Sequence, residues 1–382
     1  MNISFFLDVK LVKKDNNVYT TGAVTKEYLN RHRLSESDKL TIICREDKNK
    51  DFTNKLALAS DKNIEFIMFD SYKEAYKNRK LIKNIIKESD VVNVKLPTNI
   101  GIIAMHYVLK LRKKHLVQLV GCPYDILNSY GGIKAKLIAP IISVINKYYI
   151  KRADNIIYVT NGFLQERYPT KGKSISCSNV NIDNPSKEVL KNRLDKISRD
   201  INVYKIGLIG SLNVKYKGQD TAIKAISLLK NKFNIELHFL GSGDKENWID
   251  LIKQYGVENS VFFDGTLPAG DPVYNWLDNM DIYLQPSLTE GLPRSVIEAM
   301  SRGCPVIGTE AGGIPELLQK ELVIKKKDYK DLAIKIEKLL NDKKMMEKIA
   351  KENFEEAKKY NKSLLNEKRR KFIEEVYNNK KI

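Results

Sequence analysis

Glu290 and Glu298 stand eight positions apart in the segment SLTEGLPRSVIEAMSRGCPVIGT, which opens as a polar loop, enters a helix-like stretch and leaves through an apolar run. A carboxylate offers acceptor oxygens and no donor, so vicinal hydroxyls suit it. Pro293 fits the first turn of a helix, because its φ is already helical and its missing N–H would have had no partner. The N–H groups near Ser295 and Val296 then sit at a helix N-terminus, where unsatisfied donors and the helix dipole favour an anion. A diphosphate is the natural guest. Glu290 would accept from hydroxyls on one side of it and Glu298 from hydroxyls on the other. The alternative is a turn residue and a surface carboxylate on a helix.

Two further loops carry chemistry of the same kind. GSGD, with Gly241 and Gly243, follows the apolar run IELHFL and would form a wall of a base or ribose pocket. A lone G-x-G is weak, and no full G-x-G-x-x-G occurs, which argues against a nicotinamide dehydrogenase. No D-x-D motif is present, so a metal-dependent transfer is not expected. Gly312 and Gly313, in EAGGIPEL, would allow close approach to the ligand, or mark an ordinary turn before a helix. His106 lies in IGIIAMHYVLKL, where a lone histidine is read as a packed core residue and is assigned no role.

These loops need strands to precede them. In the first half ISFFLD, KLTIIC, IEFIMF, VVNVKL, HLVQLV and NIIYVT read as buried parallel strands, with helices such as 74–88 and 101–113 between them. In the second half KIGLIG, IELHFL, VFFDG, DIYLQP, CPVIGT and LVIK repeat the alternation, and Lys- and Glu-rich helices follow from about residue 328. The pattern predicts an α/β protein of two Rossmann-like domains, joined through polar, turn-rich sequence near residues 180–200. At 382 residues and 42% hydrophobic content the chain can build two cores. Ligands of such sheets lie at the carboxyl ends of the strands, where the loops above are placed.

EGLPRSVIEAM followed by GCPVIGTEAGGIPELL resembles the nucleotide-sugar signature of GT-B glycosyltransferases of the family 4 type. IGLIGSLNVKYKGQDTAIKAISLL and LHFLGSGD continue the likeness upstream in the expected order, so residues 205–318 carry it closely. The resemblance implies a GT-B fold: an acceptor-binding domain over 1–190, a nucleotide-sugar-binding domain over 191–360, a cleft between them, and a helix over 361–382 crossing back. It implies that Glu290 contacts the donor sugar, that Glu298 binds the ribose diol, and that Gly291 belongs to the same donor loop. Lys217 matches the lysine that neutralises the donor phosphates; the alternative is a solvated loop lysine. Where relatives commonly carry an arginine, this chain has Ser211, so Lys215 or Arg294 would supply the charge, unless Arg294 pairs with a carboxylate. Gly22 aligns with a glycine-rich loop facing the donor, or is a helix-start glycine. Asp125, in LVGCPYDIL, stands near a position that carries an ionisable group in many relatives, or is a turn residue. The implied reaction is retaining transfer from a nucleotide-diphosphate sugar, a UDP-sugar first among them, with no cofactor and no metal.

The formal net charge of +19 attracts phosphates, nucleic acid or anionic lipid alike. No nucleic-acid-binding motif with interleaved aromatics occurs, so nucleic acid is not an expected partner. GGIKAKLIAPIISVINKYYIKR joins an apolar stretch at 137–145 to Lys134, Lys136, Lys147, Lys151 and Arg152. With KLRKK at 110–114 it could lie on an anionic membrane surface; alternatively it packs on the first sheet with its lysines solvated. A lipid-linked glycan acceptor would explain such a surface, and the N-terminal half, in YVTNGFLQERYPTKGKSISCSNV, also resembles glycosyltransferases of capsule or exopolysaccharide assembly. Cys44, Cys122, Cys177 and Cys304 show no metal or disulfide spacing and read as buried residues of a reduced compartment. MNISFFLDVKLVKK is too short an apolar run for a secretory signal, so the expected location is the cytoplasm or the inner membrane face. A non-catalytic binding subunit and a sugar-nucleotide epimerase are the competing functions.

Overall fold

The computed structural model describes residues 1–20, 24–48, 57–129 and 132–379. The chain forms two compact units, one from Met1–Pro123, Pro140–Cys177 and Leu365–Ile382, the other from Tyr124–Ala139 and Ser178–Leu364.

The first unit is built on strands β1 (Asn2–Lys14), β2 (Asn17–Thr20), β3 (Lys39–Glu46), β4 (Ala57–Leu58), β5 (Ile64–Phe69), β6 (Val91–Leu96), β7 (His115–Leu119), β8 (Asn155–Tyr158) and β9 (Lys173–Ser176). Its parallel sheet runs β5-β3-β1-β6-β7-β8-β9. The central strands are apolar on both faces because both are covered, as in parallel sheets generally. β1 is longer than its apolar core: beyond Phe6 it bulges, and Asp15 at φ 52° turns it into an antiparallel ribbon with β2 and β4. The helix expected over 74–88 is two, Tyr72–Lys77 and Arg79–Glu88, since Asn78 ends the first by turning its amide onto the Glu74 carbonyl. The next spans Asn99–Lys110. His106 is exposed on it rather than packed in the core. All four cysteines are buried, with no disulfide among the described residues.

The chain re-enters this unit within its last helix, Lys362–Asn378, which buries Phe372, Ile373, Val376 and Tyr377. The Tyr377 hydroxyl accepts from Asn93 Nδ2 at 2.6 Å and donates to the His32 carbonyl at 3.0 Å, tying the helix to the centre of the sheet.

The second unit holds β10 (Tyr204–Ile209), β11 (Ile235–Leu240), β12 (Val261–Gly265), β13 (Ile282–Gln285), β14 (Val306–Thr309) and β15 (Val323–Ile324), all parallel, in the order β12-β11-β10-β13-β14-β15. Strand order reverses between β10 and β13, so the loops leaving those two strands flank the crevice where such sheets bind ligands. The boundary expected at 190/191 falls inside the helix Lys187–Ser198, which belongs wholly to this unit. Its buried Arg193 caps the helix ahead of β13, donating to the Leu277 carbonyl at 2.9 Å. The division follows Cys177 instead, and the return falls after Leu364 rather than Tyr360.

Candidate donor site

Gln285, the last residue of β13, is fully buried and organises the loop that follows. Its Oε1 accepts from the Tyr283 and Ser295 hydroxyls, each at 2.9 Å. Its Nε2 donates to Ser287 Oγ at 2.7 Å and to Glu290 Oε1 at 3.0 Å. Ser287 Oγ donates to the same Glu290 oxygen at 2.7 Å, and Lys217 Nζ does so at 2.8 Å. Three donors therefore converge on Oε1, while Oε2 carries no hydrogen bond among the described residues. The carboxylate is locked through one oxygen and presents the other. The Glu290 side chain is 9% exposed and that of Lys217 20%, so the pair is largely shielded from water, where its attraction is stronger than at the surface.

Lys217 comes from the loop after β10, in a short turn over Lys215–Lys217 that ends at Gly218. Gly218 has φ 83°, and a Cβ there would lie 2.1 Å from the Pro286 carbonyl oxygen. Only a glycine lets the β10 and β13 loops meet this closely, which seats Lys217 on Glu290. The Leu288 N–H, donating to the Tyr216 carbonyl at 2.8 Å, closes the same contact. On the far side Gly312, at φ 59°, brings the loop after β14 onto the Glu290 carbonyl, and the Gly313 N–H donates to the Gly291 carbonyl at 2.6 Å. Gly218 and Gly312 thus serve loop-to-loop packing. Gly241 and Gly243 do the same between the β11 and β10 loops, against Gly210 and Asn213. Ser211 donates to the Ser242 carbonyl at 3.0 Å, so its hydroxyl is a strut of this contact and no substitute for a cation.

The helix Arg294–Ser301 begins beside Gln285. Pro293 is its N-cap, one position earlier than expected, with extended ψ of 119° and no side-chain cap for the first N–H groups. The donors of Ser295 and Val296 therefore remain those of an uncapped helix start. Val296 buries its side chain in the core, and Ser295 turns its hydroxyl inward onto Gln285. Arg294 is exposed and forms no ion pair within salt-bridge distance among the described residues, although its charge acts on Glu298. Lys215 is likewise exposed. Glu298, one helical turn on, has its carboxyl pushed above the ordinary range by burial, partly offset by the Arg294 charge. The Tyr274 phenol is raised to about 12, first by burial and then by the Glu298 charge.

Asp125 is buried in the first turn of the helix Pro123–Ser129, after β7. Gly22 lies outside the described residues. Conversely, Gln285, Ser287 and Gly218 were not singled out in the sequence. The signal for Gln285 was available: a polar residue closing an apolar strand immediately before the loop. Among the described residues no group of three His, Cys, Asp or Glu side chains is arranged to hold a metal ion.

Residues 191–356 match the family model of glycosyl transferases group 1. Protein CapJ of Staphylococcus aureus is 35% identical over 371 residues, covering 94% of this chain and 90% of that one. The capsular polysaccharide biosynthesis glycosyltransferase CapM of the same organism is 32% identical over 148 residues, 38% of each chain. The crystal structure of HepE from Anabaena in complex with UDP superposes with a TM-score of 0.65 at 15% identity, covering 96% of this chain and 98% of that one, and shows the same fold. With two parallel Rossmann-like sheets and these matches, the chain belongs to the glycosyl transferases group 1 and is a glycosyltransferase of GT-B fold.

Proposed function

We propose that the protein is a retaining, metal-independent glycosyltransferase that moves a sugar from a nucleoside diphosphate donor, UDP-linked in the first instance, to a hydroxyl of a growing lipid-linked glycan in capsule or exopolysaccharide synthesis. The observation that carries the reading is the one-sided anchoring of Glu290: three donors on Oε1, and Oε2 left to accept from a sugar hydroxyl. Lys217, beside it, and the N–H groups at the start of Arg294–Ser301 are the groups that would take the diphosphate, with the exposed Arg294 guanidinium in place of the missing arginine at Ser211. Glu298 would accept from the ribose diol.

In this reading the chain supplies position and electrostatics rather than a nucleophile. As the bond from the anomeric carbon to the diphosphate breaks, negative charge grows on the leaving oxygen. Lys217 and the N–H groups of the helix start would stabilise that charge from positions the fold already fixes. The departing phosphate takes the proton of the attacking acceptor hydroxyl. Names of relatives support the capsule context, and a structural relative solved with UDP supports the uridine base. The test is calorimetric titration with UDP, GDP and ADP, followed by donor hydrolysis. UDP binding tighter than the other two, with turnover of a UDP-sugar in the presence of chelator, is expected; failure to bind any of the three overturns the proposal.

A further inference from the structure

The helix Ile133–Lys151 has two opposite faces of different character. Ala139, Ser143, Asn146 and Ile150 are buried, at spacings of one helical turn, and the Ser143 hydroxyl meets Tyr168 OH at 3.0 Å. Half a turn away from each lie Leu137, Ile141, Val144 and Tyr148, and the row begins with Ile133. These side chains are bare: exposure runs from 50% at Tyr148 to 80% at Ile133, and Ile138 beside them is 47% exposed. A surface helix ordinarily turns such a row inward and keeps polar residues outside. Here an apolar stripe about 22 Å long, at 1.5 Å per residue, faces out. Scattered exposed apolar residues need no explanation, but a contiguous row on one helix face marks an interaction surface.

The charges around the stripe say what covers it. Lys134 and Lys136 stand in its first turn and Lys147, Lys151 and Arg152 at its end, all exposed, and residues 132–152 contain no Asp or Glu. Arg152 lies 3.7 Å over the Tyr148 ring, joining the cationic end to the last apolar residue of the row. A second copy of this chain would bring lysines against lysines across a two-fold axis. A water-soluble acidic partner would leave the apolar row without a counterpart. We infer that this face lies flat on an anionic lipid bilayer, the apolar row sunk among the acyl chains and the cations level with the phosphates. The helix rests on the surface and does not span it: no helix among the described residues is long and apolar enough to cross a membrane.

The test is flotation of the full chain with vesicles of phosphatidylcholine, alone or with about a third phosphatidylglycerol, in low salt. Two variants are compared, Leu137→Ser/Ile141→Ser/Val144→Ser and Lys134→Gln/Lys136→Gln/Lys147→Gln/Lys151→Gln; none of the seven positions is in the donor site. Partition onto anionic vesicles should exceed that onto neutral ones about tenfold or more, weaken with salt, and fall about tenfold or more in each variant. UDP affinity, measured on the same samples, should not move, which separates this inference from the donor reading. If the wild-type chain does not float, or if either variant floats as the wild type does, the inference fails. It also fails if, without lipid, the chain is a dimer that the serine variant makes monomeric.

Discussion

Glu290 and Glu298 are the same chemical group in two settings, and the settings divide their work. Glu290 is fixed by direct donors, whereas Glu298 sits one turn into a helix with burial acting against its charge. Because folding raises the Glu298 carboxyl above its ordinary 4.5, the folded state favours the protonated form. Its contribution to stability is therefore complete at low pH and is lost as pH rises through the raised value. Burial thus acts against the ionised form, which is the form that would accept from a ribose diol. Glu298→Gln should leave the melting temperature unchanged or higher while weakening UDP affinity about tenfold, by scanning calorimetry and titration. A lower melting temperature with unaltered affinity would assign it to the fold. Two glutamates eight apart say little by spacing alone, and it is the nucleotide-sugar signature around them that singles out Glu290 and Glu298. What fixes Glu290 was not legible, because Gln285 and Ser287 act through hydrogen bonds whose geometry only the meeting of β13 with the following helix defines.

At the scale of elements, the site is three loops held together by glycines. Gly312→Ala would place a methyl 2.1 Å from the Glu290 carbonyl oxygen and 2.9 Å from that of Gly291, at a φ of 59° that a side chain disfavours. The loop after β13 must then move. The variant should lose about 1–3 kcal/mol of stability, a fall of several degrees in melting temperature, and lose turnover beyond what the melting shift accounts for. Intact turnover would separate the β14 loop from the position of Glu290. The twelve strands expected from apolar runs are all present, since buried parallel strands announce themselves in composition. β2, β4 and β9 were missed: they are two to four residues long, and β4 and much of β9 are exposed, so neither period nor hydropathy marks them. Pro293 was displaced by one position because a proline serves before a helix as well as at its first residue.

Over the whole molecule, two units share a chain that leaves the first and returns to it. The turn-rich stretch before residue 200 suggested a later boundary than the real one, because polar helix residues such as Arg193 look like linker until the carbonyls they cap are known. The returning helix holds the first unit through Tyr377, and its Arg369, with Lys95 and Arg31, adds positive charge around the buried His32. Burial first, and those cations next, depress His32 from 6.5 to about 3. A depressed pKa means that the unfolded chain binds the proton more tightly. Stability from this residue is full above 6.5 and drains as pH falls from there toward 3, by up to about 1.4 kcal/mol per pH unit. The melting temperature of the first unit should therefore drop between pH 7 and pH 5, and His32→Gln should flatten that slope; an equal slope in the variant would place its origin elsewhere.

In the proposed function Lys217 takes the diphosphate while Glu290 takes the sugar. Calorimetric titration of UDP, paired with turnover of the UDP-sugar, tests it on the wild type, Lys217→Ala and Glu290→Gln. UDP affinity should be about tenfold or more weaker in Lys217→Ala. In Glu290→Gln affinity should stay within about threefold of wild type while turnover falls about a hundredfold. Wild-type affinity in Lys217→Ala, or wild-type turnover in Glu290→Gln, would contradict that division of roles.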